Sequence, residues 1–118
     1  MKILSPKIHG YLDFLTVIIF ALAPTVFGFD GLPATISYIL AVVHLLLTLT
    51  TAFPLGIVKI VPLLVHGGIE LIVAVALVIL PFILDFTEGA RNFFVGIGIV
   101  IFIVWLISDC RKTSTAEI

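Results

Sequence analysis

Apolar residues dominate four long stretches of the chain, 8–27, 33–53, 60–84 and 91–107, and each is about the length of a spanning helix. The connections between them are short and carry turn or breaker residues. Gly28, Phe29, Asp30 and Gly31 precede Pro33; Phe53, Pro54, Leu55 and Gly56 form the middle connection; Asp85, Phe86, Thr87, Glu88 and Gly89 form the last. The pattern predicts an all-α chain, a polytopic membrane four-helix bundle made of two tandem helical hairpins. Nearly every residue is used by the spans, and only 112–118 reads as a mobile tail. Lys2 and Lys7 precede an apolar run in the manner of a signal peptide. That run has spanning length and bears His9 and Asp13 at its start, so it reads as helix 1 of the mature protein.

Composition sharpens the solvent. With 118 residues, 62% hydrophobic and 11% charged, a soluble domain could not hide its apolar surface, so the lipid bilayer is the expected partner. A net charge of -1 offers no basic patch for nucleic acid. The single cysteine, Cys110, excludes an internal disulfide framework and a thiolate metal cage; it carries no assigned role beyond a chance of palmitoylation. Lys2, Lys7, Lys59, Arg111 and Lys112 fall on one side of the predicted bundle and Arg91 on the other. The positive-inside rule then puts both termini and the middle loop in the cytoplasm, as for a bacterial inner membrane protein, with Asp30, Asp85 and Glu88 at the outward hairpin tips.

Sliding the chain against itself by 57 positions aligns its halves without a gap. Lys2 meets Lys59, Ile3 meets Ile60, His9 meets His66, Gly10 meets Gly67, and Pro24 meets Pro81. Phe29, Val43 and Leu49 meet Phe86, Val100 and Leu106, and Asp13 meets Glu70. The chain thus divides into a first two-helix repeat, 1–57, and a second, 58–118, with the short tail. Each repeat holds two spans, so both enter the membrane in one direction, related by a pseudo-twofold axis along its normal.

The segment Leu22, Ala23, Pro24, Thr25, Val26, Phe27, Gly28, Phe29 and its partner Ile79, Leu80, Pro81, Phe82, Ile83, Leu84, Asp85, Phe86 carry a further signal. Together with Ala90, Arg91, Asn92, Phe93, Phe94, Val95, Gly96 and with Trp105, they resemble the repeat unit of the SPW-repeat integral membrane proteins. Ala-Pro-Thr and Leu-Pro-Phe stand where that family has Ser-Pro-Trp. The resemblance implies tandem two-helix units and supplies no activity.

Ionisable side chains inside a span cost about 2.5–3.5 kcal/mol on insertion scales and usually face a bundle interior or a water-filled cavity. Here they are His9 and Asp13 on helix 1, His44 on helix 2, His66 and Glu70 on helix 3, and Asp109 at the end of helix 4. A four-residue spacing puts each His and its acid on one face, about 6 Å apart along the axis. All three imidazoles fall at similar depth in the cytoplasmic leaflet. Helix 2 carries a small or polar stripe of Ser37, Ala41, His44, Thr48 and Thr51, which points inward towards them. The matching stripe on helix 4 is Phe94, Gly98, Ile101, Trp105 and Ser108, without a His, so the site is expected to be asymmetric.

His9, Asp13, His44, His66 and Glu70 are a suitable donor set for divalent Zn, Mn or Fe, because imidazole nitrogen and carboxylate oxygen together satisfy the ion and cancel its charge. The set differs from di-metal bundles, which use Glu-x-x-His. A haem held by His9 and His66, with Gly10, Gly67 and Gly68 making room beside the ring, is a second reading. A proton, ion or substrate path in a small oligomeric transporter is a third. A fourth is structural: polar glue between helices, completed by Tyr11, Thr48 and Thr51, in an interaction module or homo-oligomer. An enzyme is least supported, since no nucleophile elbow, phosphate loop, dinucleotide fingerprint or zincin helix occurs.

The remaining features read as ordinary. Trp105, Phe93, Phe94, Tyr38 and Phe102 are packing or interfacial residues. Pro24 and Pro81 end or bend helices 1 and 3. Gly96 and Gly98, with Ala90 and Val100, are candidates for close helix approach. Asp109 with Arg111 reads as a helix end meeting water.

Overall fold

The computed structural model describes residues 5–51 and 56–108. Lys2, Phe53, Pro54, Leu55, Asp109, Cys110, Arg111, Lys112 and the tail lie outside these residues. The described chain is helical: α1 (Pro6–Val26), α2 (Gly31–Leu49), α3 (Leu63–Ile83) and α4 (Glu88–Ile107). By length and composition all four can cross a membrane, with mean hydropathies between 1.5 and 2.2 over Lys7–Val26, Gly31–Leu49, Leu64–Ile83 and Glu88–Ile107. The molecule is 43 Å long, enough for a hydrocarbon layer of about 30 Å and both of its borders.

Local chemistry sets the ends. Ser5 caps α1, its hydroxyl accepting from the Ile8 amide at 3.3 Å, and Pro6 opens the first turn, where no amide is needed. Pro24 and Pro81 lie in the last turns of α1 and α3, and both helices continue past them to Val26 and Ile83. Their carbonyls close the caps, since the Phe29 amide donates to Pro24 O at 3.1 Å and the Phe86 amide to Pro81 O at 3.0 Å. This is the six-to-one bond of a Schellman motif, and it needs a left-handed residue just before the donor. Gly28 supplies it in the first repeat (φ 69°) and Asp85 in the second (φ 55°). Phe29 and Phe86 are thereby turned into the core.

Three span ends differ by three residues or more from the hydropathy reading. α4 starts at Glu88 and takes in Glu88 and Gly89 of the expected connection. α2 stops at Leu49, short of residue 53, because the chain turns back on it: the Ile57 and Val58 amides donate to Leu49 O, and the Ile60 and Val61 amides to Thr50 O. Thr51 and Val61 pair as an isolated parallel bridge. α3 starts at Leu63, later than residue 60, since Pro62 keeps Val61 out of helical backbone.

α1 packs along α2 and α3 along α4, and α1 also touches α4. Ser37 Oγ donates to Phe20 O at 2.7 Å across the first hairpin. In the second, a Cβ on Gly98 would lie 2.9 Å from Ala74 O, so this glycine sets the closest approach of α3 and α4. Gly96 has open space beside it and Val100 faces outward, so of Ala90, Gly96, Gly98 and Val100 it is Gly98 and Ala90 that are buried in the packing.

At the end bearing the hairpin tips the core is aromatic. Phe93 packs on Phe20 and Phe29 with centroids 5.9 and 5.8 Å away, and Phe94 packs on Phe86 at 5.2 Å. Tyr38 and Phe102 face outward, Phe102 stacked on Trp105 at 6.0 Å. Large aliphatic side chains cover the outside, Val26 and Ile72 being 71% and 70% exposed. That is the surface expected of helices solvated by lipid.

Candidate metal centre

The polar residues gather at the opposite end. His9 and His66 sit near the starts of α1 and α3, with Asp13 and Glu70 one turn further along. His44 comes from α2, and Thr51 and Ser108 stand just beyond the ends of α2 and α4. All seven are buried. The stripe read on helix 2 turns inward as a unit, with Ser37, Ala41, His44, Thr48 and Thr51 all buried. On α4, Phe94, Gly98 and Ile101 are buried and Trp105 is half-buried, and Ser108 just past its end is buried too.

The two imidazoles meet edge to face, with centroids 5.7 Å apart and planes at 77°. Each comes closer to the acid of the other repeat than to its own. His9 Nε2 is 2.7 and 2.9 Å from Glu70 Oε2 and Oε1, against 3.3 Å to Asp13 Oδ1. His66 Nε2 is 2.8 Å from Asp13 Oδ2, against 3.4 Å to Glu70 Oε2. Asp13 Oδ2 is buried and makes no hydrogen bond among the described residues, so its short approach to His66 lacks that alignment. One ligand atom from each of His9, Asp13, His66 and Glu70 fits in a group whose members all lie within 4.8 Å of one another.

His44 borders this group. Its Nε2 reaches Asp13 Oδ1 at 3.4 Å, and its ring lies 6.3 Å from that of His66. The position related to His44 by the repeat is Ile101, which is buried, so the asymmetry expected between the halves is present.

The exchange continues on the far side of each ring. Thr51 Oγ1 is 2.6 Å from His66 Nδ1, and Ser108 Oγ is 2.6 Å from His9 Nδ1. Thr51 and Ser108 are themselves related by the 57-residue offset. Each hydroxyl donates to a carbonyl one turn back in its own helix, Thr51 to Leu47 O and Ser108 to Val104 O.

Other expected polar partners are placed differently. Tyr11 is 57% exposed and faces away from the cluster, because position 11 lies on the outer side of α1. The Thr48 hydroxyl donates to the His44 carbonyl, so it satisfies its own helix instead of an acid. Gly10 and Gly67 are buried beside the imidazoles, while Gly68 is exposed. Ser108 was legible only as a member of the helix 4 stripe. The signal that would have found its role is the repeat itself, which pairs it with Thr51.

Two buried acids in low dielectric need a compensating positive charge, which either protonated imidazoles or a bound divalent cation can supply. Comparison with protein-family models, curated proteins and solved structures finds no match, and the chemistry of the site rests on its geometry alone.

Proposed function

We propose that the chain is a small integral membrane protein that holds one divalent metal ion between its two repeats, near the cytoplasmic ends of the spans. His9, Asp13, His66 and Glu70 are the ligands, and His44 borders them as a further donor. The carrying observation is the convergence of four buried donor atoms within 4.8 Å, two of them imidazole nitrogens and two carboxylate oxygens. Mixed nitrogen and oxygen donors suit Zn, Mn or Fe(II). An ion is favoured over haem because both carboxylates crowd the space between the rings, where a macrocycle would have to lie. The basic residues Lys7 and Lys59 support a cytoplasmic location for this end, in a membrane such as the bacterial inner membrane.

One second reading has an observation in its favour. Separations of 2.7 and 2.8 Å also suit imidazoles paired with carboxylates, which would make the cluster a network that locks the hairpins together. Elemental analysis of protein purified in mild detergent, with thermal unfolding before and after chelation, separates the two. The metal reading expects one equivalent of metal, lost in His9→Ala and in His66→Ala, and a lower melting temperature after chelation. No metal above background, with unfolding indifferent to chelator and to added Zn, Mn or Fe(II), overturns it in favour of the packing network.

A further inference from the structure

We infer that Thr51 and Ser108 are positioning residues that fix which nitrogen of each imidazole faces the centre. A hydroxyl has one proton. Thr51 gives its proton to Leu47 O and Ser108 gives its own to Val104 O, and a carbonyl can only accept. Each hydroxyl therefore has only lone pairs left for the imidazole 2.6 Å away, so Nδ1 must be the donor in both rings. With Nδ1–H held outward, Nε2 is the atom turned to the carboxylates. Its lone pair becomes the one available to a cation. A second proton, on Nε2, would instead make an imidazolium that pairs with the acids by itself, with no ion required.

The arrangement is also a crossed one. Thr51 at the end of the first repeat orients the imidazole of the second, and Ser108 at the end of the second orients that of the first. The backbone holds Thr51 in place through its bridge to Val61, five residues before His66. Outer partners of this kind orient metal-bound imidazoles, and their loss typically costs about 10–100-fold in metal affinity.

The metal part of this inference rests on the proposed function; the Nδ1 assignment does not, and the test keeps them apart. Full-length protein with ¹⁵N-labelled histidine, in lipid or detergent, is expected to show protonated Nδ1 at His9 and His66. Thr51→Val should perturb the Nδ1–H resonance of His66 and leave that of His9, and Ser108→Ala should do the reverse. Thr51→Ser and Ser108→Thr, which keep a hydroxyl, should restore the signals and the fold together. An unprotonated Nδ1 in either ring, or variants that disturb both rings alike while Thr51→Ser and Ser108→Thr fail to rescue, overturns the inference.

Titration with Zn²⁺ then reads the consequence. Thr51→Val and Ser108→Ala should each weaken binding about 10–100-fold, with rescue by the hydroxyl-bearing substitutions. Unchanged affinity in both overturns the positioning role. Absence of Zn²⁺, Mn²⁺ and Fe²⁺ binding in the unmodified protein would sink the proposed metal site, while the Nδ1 measurement would still decide the hydroxyl assignment.

Discussion

His66 stands 2.8 Å from Asp13 on α1, closer than the 3.4 Å that separates it from Glu70 one turn along its own helix. The pairing across the repeats makes the two acids partners in one unit. Asp13→Asn and Glu70→Gln should each weaken metal binding by more than the roughly 10–100-fold that an outer-shell loss costs. The double variant should lose less than the sum of the two, with a coupling of about 0.5–3 kcal/mol. Metal titration of the four proteins in a double-mutant cycle measures this. Strict additivity would mean that the two acids act independently.

Gly98 should tolerate almost nothing larger. A methyl group there would press on the Ala74 carbonyl at 2.9 Å and on Leu77 and Val78 side-chain carbons at 3.0 Å, and a backbone oxygen cannot swing aside. Gly98→Ala is expected to cost about 1–3 kcal/mol by overpacking the α3–α4 contact. Gly96→Ala, with open space beside it, should be neutral or mildly stabilising. Unfolding in a denaturing detergent titration compares them directly.

The two Schellman caps predict substitutions of opposite sign. Asp85 holds a left-handed conformation that an L side chain rarely adopts, so Asp85→Gly should stabilise by about 1 kcal/mol. Gly28→Ala places a Cβ in the same strained conformation and should destabilise by about 1–2 kcal/mol. Equal melting temperatures for Asp85→Gly and the parent protein would show that the strain at this turn is negligible.

Orientation is testable by labelling single cysteines in a Cys110→Ser background. Asp30→Cys should react with a membrane-impermeant thiol reagent applied to intact cells, and Lys59→Cys should react only after permeabilisation. The reverse pattern would invert the proposed topology and put the cluster at the outer face.

Much of the plan was legible in residue order. Four helices follow from hydropathy, and the inward face of α2 follows from the spacing of Ser37, Ala41, His44, Thr48 and Thr51, all of which are buried. Grouping His9, Asp13, His66 and Glu70 followed from their rarity in apolar spans. Their cross-repeat pairing did not, because a four-residue spacing joins each His to the acid on its own helix, whereas the observed partners depend on how two hairpins face each other. The outward turn of Tyr11 is similarly a matter of which side of α1 meets its neighbours. Hydropathy also overran the middle connection. It counts apolar residues without registering that Pro62 bars helix at Val61, or that Leu49 and Thr50 would receive amides from the returning chain.

The crossed hydroxyls and acids make the two halves of this chain answerable to each other. A change at Thr51 or Asp13 is felt at His66, and a change at Ser108 or Glu70 is felt at His9. The partners that depend on each other therefore lie in opposite repeats, whereas the positions related by the 57-residue offset play matching parts on opposite sides of the cluster. The position of His44 escapes this mutual hold. Its counterpart at the 57-residue offset is Ile101, so only the first half brings a third imidazole to the border of the cluster.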